Sequence, residues 1–263
     1  MTFNAENVSK LIRKRIREYV KESGCKGVVI GVSGGVDSAV CASLAVKALG
    51  KRNVFGIIMP KGEKLASGDV RDAIGLCKKL GIGHRVLDIG GAVDEIGRLC
   101  GTGVWKDRII MGNAAARVRM TVLYSFAYDR KYLVLGTGNK SELLLGYFTK
   151  YGDGGVDLLP LGDIYKGDVL KLAKAVGVPK RITGKAPSPN LWEGQSDEGE
   201  LGFSYALADR ILSMFLESGM DGNEITRRTG DKNTVRSIYD MVRRSSHKRT
   251  PPRILSMKLG LWQ

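Results

Sequence analysis

The residues with the clearest chemical meaning are Ser33-Gly34-Gly35-Val36-Asp37-Ser38. They follow a short apolar run at residues 28–32 and precede an apolar, alanine-rich run at residues 39–49. A strand, a glycine turn and a helix start in this order direct backbone N–H groups toward a bound phosphate. The two glycines carry no Cβ, so the main chain can approach the anion closely. Asp37 adds a carboxylate beside the phosphates, which requires a cation between the two groups of negative charge.

The same loop residues allow interpretations other than a phosphate site. The Walker P-loop, G-x-x-x-x-G-K-[ST], is excluded because no lysine follows Gly35. Residues 31–35 also fit G-x-S-x-G, the nucleophile elbow of α/β-hydrolases, and His247 lies late in the chain as that order requires. The elbow would follow the first predicted strand, however, with no earlier strands to form the sheet or the oxyanion loop. A purely structural glycine turn stays open, since short motifs match by chance.

Composition places limits on the class of protein. A length of 263 residues fits one large domain, residues 1–263, with a sizeable core. No apolar run reaches the length of a membrane span, and the N-terminus lacks the unbroken apolar core of a signal peptide. The four cysteines are far apart with no C-x-x-C pair, so we expect buried free thiols and neither disulfides nor a zinc site. We therefore expect a cytoplasmic protein with no membrane partner.

A net charge of +15 is the unusual feature of the composition. The basic residues cluster in the first predicted helix, within residues 10–21, and in the C-terminal stretch at residues 227–249. Such charge can mark a nucleic-acid surface or can attract anionic small molecules to a cleft. No aromatic residues interleave with these basic residues, as a base-stacking surface requires. We interpret the charge as the solvated faces of amphipathic helices and do not expect a nucleic-acid partner.

The elements that must position the loop alternate along the chain. Short apolar strands are predicted at residues 28–32, 54–59, 84–88 and 132–135, and helices at residues 38–49, 69–80 and about 113–128. This alternation predicts an α/β fold, a Rossmann-like doubly wound parallel sheet of about five strands with helices on both faces. Helices at about residues 203–218 and 233–246 form a helical C-terminal extension. Ligands bind at the carboxyl ends of such strands, where residues 33–38 and 136–138 both lie.

Two glycine-rich or proline-containing segments interrupt this pattern. Residues 147–163 are rich in glycine and aspartate, and residues 184–199 contain two prolines and Trp192. Neither segment suits the interior of a helix or a strand, and long irregular stretches in a compact domain are usually functional or disordered. We expect both to form functional loops.

The longest motif in the chain identifies a family. Residues 33–38 match the SGGxDS loop of the N-type ATP pyrophosphatases, which cleave ATP between the α- and β-phosphates. The run Phe148-Thr149-Lys150-Tyr151-Gly152-Asp153-Gly154-Gly155, followed by Asp157-Leu158-Leu159-Pro160-Leu161 and Lys166, resembles the NAD synthetases. Gln195-Ser196-Asp197-Glu198 and His247-Lys248-Arg249 extend the resemblance, which covers about residues 27–253.

The resemblance implies a ligase that converts deamido-NAD, ATP and a nitrogen source into NAD, AMP and pyrophosphate through an acyl-adenylate. Glutamine-dependent members carry a separate amidase domain. Only about 27 residues precede the first predicted strand here, so we expect no glutaminase domain and free ammonia as the nitrogen donor. The resemblance also implies a homodimer with the deamido-NAD site formed across the subunit interface.

The resemblance also implies which residues of this sequence form the binding and catalytic sites, because they occupy the positions of the family's site residues. For ATP, the resemblance implies binding by Gly31, Val32, Ser33, Gly34, Gly35, Val36, Asp37, Ser38, Thr137, Lys166 and Ser188. For deamido-NAD, it implies Arg117, Lys150, Asp157, His247 and Lys248. Asp37 and Glu142 are the implied ligands of Mg²⁺, and Asp37 and Asp153 the implied catalytic residues, with Asp153 receiving a proton from ammonium. A glycine-flanked aspartate is also a common turn former, so the role of Asp153 stays open.

Two positions depart from the family pattern. Ser188 stands where threonine is common, which keeps the hydroxyl group. Ile58 stands where bacterial members tend to have an arginine near ATP, so that contact would have to come from another basic residue such as Lys61 or Lys64.

The alternative function is a tRNA-modifying N-type ATP pyrophosphatase, which the charge of +15 favours. The absence of C-x-x-C motifs and of an appended RNA-binding domain counts against it.

Overall fold

The computed structural model describes residues 3–101, 107–185, 188 and 195–255. These residues form four β-strands, twelve α-helices and short 3₁₀ turns. In chain order the elements are α1 (Ala5–Glu22), β1 (Gly27–Gly31), α2 (Val36–Leu49), β2 (Val54–Ile58), α3 (Gly68–Leu80), β3 (Gly83–Val86), α4 (Gly90–Cys100), α5 (Arg108–Arg130), β4 (Tyr132–Leu135), α6 (Lys140–Leu145), α7 (Lys166–Val176), α8 (Lys180–Thr183), α9 (Asp197–Leu201), α10 (Tyr205–Leu216), α11 (Gly222–Thr229) and α12 (Lys232–Arg244). Among the described helices, none has the length and apolar character that a bilayer crossing requires.

The strands form one parallel sheet in the order β3-β2-β1-β4. β1 is central, with Val28 opposite Val54 of β2 on one side and opposite Leu133 of β4 on the other. Beyond β4, Leu158 makes a single parallel bridge with Leu135 and occupies the position of a fifth strand. The predicted parallel sheet is confirmed, with four regular strands among the described residues where about five were expected.

Helices cover both faces of the sheet, as the alternation of strands and helices predicts. Side chains along a strand point alternately to opposite faces. Val28 and Ile30 therefore pack into one core with α1, α2 and α7, whereas Val29 packs into a second core with α4 and α5. All three valine and isoleucine side chains are fully buried. This burial on both faces explains why β1 is a continuous apolar run.

The C-terminal helices form a third core of their own. Apolar side chains of α10, α11 and α12 pack together there, including Ile211, Leu212, Ile225 and Ile238. α10 also contacts α7, and both α10 and α12 contact α6, so this core adjoins the end of the sheet where β4 leads into α6. The predicted helical C-terminal extension is thus confirmed, with an additional short helix, α11.

Two helices begin at least two residues before their predicted starts. α2 begins at Val36, so Asp37 lies in the first helical turn. α5 begins at Arg108, five residues before the predicted start at 113, because the Asp107 side chain accepts the N–H of Ile109 at 2.7 Å and caps the helix. The apolar periodicity of the α5 sequence begins later than this capping group, which is why it predicted a shorter helix.

β3 is shorter than predicted, covering Gly83–Val86 where residues 84–88 were expected. The reason lies in the side chain of Asp88. Its Oδ1 accepts the backbone N–H groups of Gly62 and Gly90, both at 2.8 Å. Asp88 therefore joins the loop after β2 to the start of α4, and the chain leaves the strand before this residue.

Candidate active site

The phosphate loop, residues 31–38, joins β1 to the N-terminus of α2. The Ser33 N–H donates to Ser38 Oγ at 3.2 Å, and the Gly35 N–H donates to Ser33 Oγ at 3.2 Å. Gly34 has a φ of +85°, and a Cβ at this position would lie 2.4 Å from the backbone oxygen of Asp69. Only glycine fits there, so the close packing against α3 fixes the path of the loop. The result is a loop of N–H and hydroxyl groups at a helix N-terminus, as an anion site requires.

Asn139 joins the end of β4 to the phosphate loop. β4 and β1 are neighbours in the sheet, and the half-buried Thr137 follows β4 on the side of the loop. The fully buried Asn139 donates from Nδ2 to Asp37 Oδ1 at 3.0 Å. Asn139 also caps α6 in a capping box with Glu142: the Glu142 N–H donates to Asn139 Oδ1, and Glu142 Oε2 accepts the Asn139 N–H. Asn139 therefore orients both carboxylates predicted to bind a metal.

Lys166 lies between these two carboxylates. Its Nζ is 2.6 Å from Asp37 Oδ2 and 3.0 Å from Glu142 Oε1, and its side chain is 7% exposed. Burial alone would lower the pKa of Lys166, but the charges of Asp37 and Glu142 raise it above its ordinary value. Burial raises the pKa of Glu142 to about 7 against the opposing charge of Lys166. Lys166, predicted as a phosphate contact, thus forms ion pairs with both predicted metal ligands in this structure.

The carboxylates of Asp37 and Glu142 fit a hard cation. Both reach within 3.0 Å of one point, which the Lys166 ammonium holds, and ionised carboxylate oxygens are the donors that Mg²⁺ prefers. Each oxygen has one hydrogen-bond donor and keeps a lone-pair direction for a second ligand. In the described part of the chain, no three His, Cys, Asp or Glu side chains are arranged to hold a metal. The remaining ligands of a cation would therefore be phosphate oxygens and water.

Asp197 is a further acidic group beside Lys166. It is 4% exposed, and Tyr205 donates its hydroxyl to Asp197 Oδ2 at 3.0 Å. Asp197 Oδ1 is buried and has no hydrogen-bond partner among the described residues. Burial raises the pKa of this carboxyl, and the charge of Lys166 opposes the rise. A buried oxygen without a partner marks a position for a water or a substrate group. Asp197 belongs to the motif Gln195-Ser196-Asp197-Glu198, which by itself indicates no role for this residue.

Asp153 lies in the tight turn of the glycine-rich segment. Its Oδ1 accepts the Thr149 N–H at 2.8 Å, and the Gly154 N–H donates to the Thr149 carbonyl oxygen at 3.2 Å. Gly152 packs so closely that a Cβ there would lie 2.9 Å from the Cβ of Ala116. Surrounding protein atoms desolvate the Asp153 carboxyl and raise its pKa, although the residue keeps contact with solvent. Asp153 therefore stabilises its turn and also presents a carboxylate to solvent.

Four basic residues predicted to bind deamido-NAD come together beside this turn. Lys150 Nζ donates to the His247 carbonyl oxygen at 2.6 Å, and Arg117 Nη2 donates to the Lys150 carbonyl oxygen at 3.3 Å. Lys248 Nζ donates to the carbonyl oxygens of Gly146 and Phe148 at 2.7 and 2.8 Å. These contacts connect α5, the glycine-rich segment and the turn after α12. The structure thus unites residues that lie up to 131 positions apart in the sequence.

Asp157, the fifth residue predicted to bind deamido-NAD, lies at the edge of the sheet. Its Oδ1 accepts the Tyr124 hydroxyl at 2.9 Å, and its Oδ2 accepts the Val134 N–H at 2.8 Å. Burial and the Asp157 carboxylate raise the pKa of Tyr124. Both oxygens of Asp157 therefore hold the loop to α5 and β4, and its contact with a dinucleotide stays a prediction.

Arg119 is a site residue that the sequence analysis missed. Its Nε donates to the carbonyl oxygen of Met59, at the carboxyl end of β2, at 3.1 Å. Burial lowers the pKa of Arg119, and the charge of Asp153 opposes this. Burial and then the charge of Arg119 lower the pKa of Lys64. Arg119 therefore lies close to Ile58, where the resemblance led us to expect another basic residue, whereas Lys61 pairs with Asp94 of α4 at 3.8 Å. The sequence signal was a second arginine two positions after Arg117.

Ser188, which is predicted to contact ATP, lies within the predicted functional loop at residues 184–199. Its Oγ donates to the carbonyl oxygen of Gln195 at 2.6 Å, which brings the two ends of the segment 188–195 together. Half of the predicted functional loop at residues 184–199, namely residues 186–187 and 189–194 with Trp192, lies outside the described residues. The predicted contact of Ser188 with ATP therefore stays a prediction.

Comparison with known proteins agrees with this arrangement. The sequence model of the family described as NAD synthase matches residues 8–252. A protein named NH(3)-dependent NAD(+) synthetase from Archaeoglobus fulgidus is 46% identical over 255 residues, 97% of this chain and 98% of the relative.

Two solved structures match over nearly their whole length. The NH3-dependent NAD synthetase from Campylobacter jejuni, solved with a nitrate ion, has a TM-score of 0.82 and 32% identity, covering 97% of this chain and 100% of that chain. The NMN synthetase from Francisella tularensis has a TM-score of 0.84 and 35% identity, covering 96% and 99%. With a family match over residues 8–252 and a relative 46% identical over 97% of its length, the chain belongs to the NAD synthase family.

Proposed function

We propose that this chain is an ammonia-dependent NAD synthetase, a ligase that amidates deamido-NAD to NAD at the expense of ATP. The main support is that the short helix α6 joins two sites: Glu142 in its first turn shares Lys166 with Asp37, and the carbonyl oxygen of Gly146 at its end accepts Lys248 Nζ. We assign the phosphate loop and the Asp37–Lys166–Glu142 group to ATP, and the basic residues around Lys150 and Lys248 to deamido-NAD. The names of the relatives that match nearly the full chain support it.

The reaction has two chemical steps on the substrates. An oxygen of the deamido-NAD carboxylate attacks the α-phosphorus of ATP, the bond to the β-phosphate oxygen breaks, and pyrophosphate leaves. Ammonia then adds to the acyl carbon of the adenylate, AMP leaves with its bridging oxygen, and a proton is released. Neither step needs a covalent nucleophile from the protein. The enzyme's task is to align two nucleotides and to neutralise phosphate charge.

The phosphate loop and Lys166 perform that task on ATP. The loop's N–H and hydroxyl groups bind the pyrophosphate end, with Thr137 and Ser188 as further contacts. Lys166 supplies the buried positive charge, and Arg119 and Lys64 add positive charge at the end of β2. Asp37 and Glu142 would hold Mg²⁺, which when bound neutralises the charge that develops on the departing pyrophosphate.

Deamido-NAD binds to the basic residues of the second site. Arg117, Lys150, His247 and Lys248 orient its phosphates and its acidic ring, and Asp157 contributes a polar contact. Asp153 takes the proton from ammonium. A carboxyl whose pKa is raised by desolvation is a better base near neutral pH than an ordinary carboxylate.

We also propose that the active enzyme is a homodimer with the deamido-NAD site at its interface. Support comes from large apolar side chains that stay exposed on α4 and α5. Leu99 is 80% exposed, Ile109 is 64% exposed and Tyr128 is 90% exposed. Exposed apolar groups of this size are typical of protein interfaces. Sedimentation of the wild type as a dimer and of Tyr128→Asp as a monomer would support this arrangement; a monomeric, fully active wild type would contradict it. A cytoplasmic location stays a prediction from the sequence.

The test is a product analysis with purified protein, ATP, Mg²⁺, deamido-NAD and ammonium. We expect NAD, AMP and pyrophosphate in equal amounts and none without ATP. ADP as the product, or turnover without ATP, would contradict the proposal. Parallel reactions with nicotinate mononucleotide test whether a mononucleotide is preferred, as the name of the Francisella tularensis neighbour implies for that protein. A reaction with tRNA in place of deamido-NAD tests the alternative tRNA-modifying function.

A further inference from the structure

Lys185, which follows α8, reaches back across 151 positions of sequence to the phosphate loop. Its Nζ donates to the carbonyl oxygen of Gly34 at 3.3 Å. The same ammonium is 2.5 Å from Asp69 Oδ1 and 2.5 Å from Asp72 Oδ2, both on α3. One lysine thus joins the end of α8, the start of α3 and the phosphate loop. Neither the motif nor the resemblance gave Lys185 a role.

The carboxylates on α3 hold this lysine in place. The Asp72 side chain is only 5% exposed, and its second oxygen pairs with Arg181 of α8. Burial alone would raise the pKa of Asp72, but hydrogen bonds and charge from Lys185 and Arg181 hold it below its ordinary value. A buried carboxylate is retained only when it is paired, so Asp72 requires both cations. The position of the Lys185 ammonium is therefore set by a buried group and not by solvent.

The bond from Lys185 fixes the direction of one peptide unit in the phosphate loop. The described peptide bonds are all trans, and in a trans peptide the C=O and the following N–H point in opposite directions. Because the Gly34 C=O points to Lys185, the Gly35 N–H must point away from it. The observed bond agrees, since the Gly35 N–H donates to Ser33 Oγ at 3.2 Å. This N–H and this hydroxyl are two of the groups assigned to the pyrophosphate.

Because position 34 is a glycine, the orientation of the Gly34–Gly35 peptide needs a restraint from outside the loop. Gly34 adopts a φ of +85°, and the absence of side chains at both 34 and 35 leaves the peptide between them little steric restraint. Such a peptide can rotate and turn its N–H away from the anion. The Asp69 backbone packs against the Cα of Gly34 and restricts it. The Lys185 ammonium holds the Gly34 carbonyl oxygen by a hydrogen bond.

We propose that Lys185 is a positioning residue that keeps the Gly34–Gly35 peptide oriented for binding the pyrophosphate of ATP. It does not touch the phosphates itself. The proposal rests on the proposed function, because the anion in question is the ATP pyrophosphate. It predicts that removing Lys185 weakens the interactions with ATP and with inorganic pyrophosphate and leaves those with deamido-NAD unchanged.

The experiment compares Lys185→Met with the wild type in steady-state kinetics, varying ATP and deamido-NAD separately and adding inorganic pyrophosphate as product inhibitor. We expect the KM for ATP and the inhibition constant for pyrophosphate to rise about tenfold, as for loss of one hydrogen bond to a charged group. The KM for deamido-NAD should stay within about twofold, since uniform damage to the fold would alter both. Lys180→Met is the matched control, because Lys180 is exposed on α8, just before Lys185, and makes no ion pair among the described residues.

Two further variants keep the test decisive. Lys185→Arg keeps a cation for Asp69 and Asp72 and should recover part of the affinity for ATP. Asp69→Asn, at a half-exposed position, should give the same ATP-specific change even if Lys185→Met does not fold. Equal changes in both KM values, or a lowered melting temperature with normal kinetics, would overturn the proposal. A wild type that forms no AMP from ATP would instead overturn the proposed function.

Discussion

Asp37 and Lys166 are 129 positions apart in the sequence, and their side chains meet with 2.6 Å between Oδ2 and Nζ. Asp37 lies in the first turn of α2, and Lys166 is the first residue of α7. Glu142 shares the same ammonium, so one positive charge offsets half of the negative charge of the carboxylate pair that is predicted to bind a metal. This relationship determines several measurable properties of the enzyme.

Replacing Asp37 by asparagine should remove most of the activity. The amide keeps the volume and the hydrogen bond to Asn139 but loses the negative charge that a divalent cation requires. We expect turnover to fall on the order of 100-fold, with the remaining activity needing more Mg²⁺ for half-saturation. A magnesium titration of the initial rate measures this, with Asp129→Asn, an exposed carboxylate on α5, as the control. An unchanged magnesium dependence would show that Asp37 binds no metal.

Replacing Lys166 by methionine should destabilise the substrate-free protein. Two half-buried carboxylates would then face each other without a cation, a change that costs about 3 kcal/mol of unfolding free energy. Urea unfolding with and without Mg²⁺ measures the loss, and we expect Mg²⁺ to restore part of it in the variant but to have little effect on the wild type. The control is Lys171→Met, whose ion pair with Asp168 is on the surface and contributes less than about 1 kcal/mol. Equal destabilisation by both variants would argue against a special role for Lys166.

Replacing Asp153 by asparagine separates the two chemical steps. The amide oxygen can still accept the Thr149 N–H, so the turn should persist, but the variant cannot take a proton from ammonium. We expect the exchange of labelled pyrophosphate into ATP, which reports adenylation, to stay within about threefold of the wild type, and NAD formation to fall about 100-fold. If both rates fall equally, Asp153 acts only as a structural turn residue.

The cysteines should differ in reactivity according to burial. Cys41 and Cys77 are buried, Cys25 is half-buried and Cys100 is exposed, so the expectation of buried thiols holds for two of the four. Burial raises the pKa of Cys77 from 9.0 to about 11 and that of Cys41 well above 9.0. At pH 8 iodoacetamide should label Cys100 and then Cys25, with Cys41 and Cys77 labelled only after unfolding.

The same shift sets a pH dependence of stability. A thiol with a raised pKa keeps its proton longer in the folded state than in the unfolded state. Cys77 therefore costs no stability below pH 9.0 and lowers stability as the pH rises from 9.0 toward about 11. Cys77→Ser should reduce this alkaline loss in unfolding experiments at a series of pH values. An unchanged slope above pH 9.0 would contradict the assignment.

The sequence was most informative where structure is local. The phosphate loop, with a strand before it and a helix after it, was predictable because glycines and apolar runs act over a few residues. The order of strands and helices also followed from that local pattern. The exact ends of α5 and β3 did not, because the side chains of Asp107 and Asp88 determine them through individual hydrogen bonds.

The contacts that complete the site were not predictable from the sequence. Asn139, Lys166 and Lys185 meet residues of the phosphate loop across 102, 129 and 151 positions, and no periodicity encodes such separations. Arg119 was hidden for a different reason: a basic residue on an amphipathic helix is usually a solvated one. Family resemblance supplied Lys166 as a phosphate contact, whereas only the fold places it on Asp37 and Glu142.

The central claim is that the carboxylate of deamido-NAD is activated by adenylation. Deamido-NAD labelled with ¹⁸O in that carboxylate tests the claim directly in a reaction with ATP and ammonium, followed by mass spectrometry of the products. One labelled oxygen should appear in the phosphate of AMP, the other should stay in the amide of NAD, and pyrophosphate should carry none. Label in pyrophosphate, or AMP without label, would contradict it.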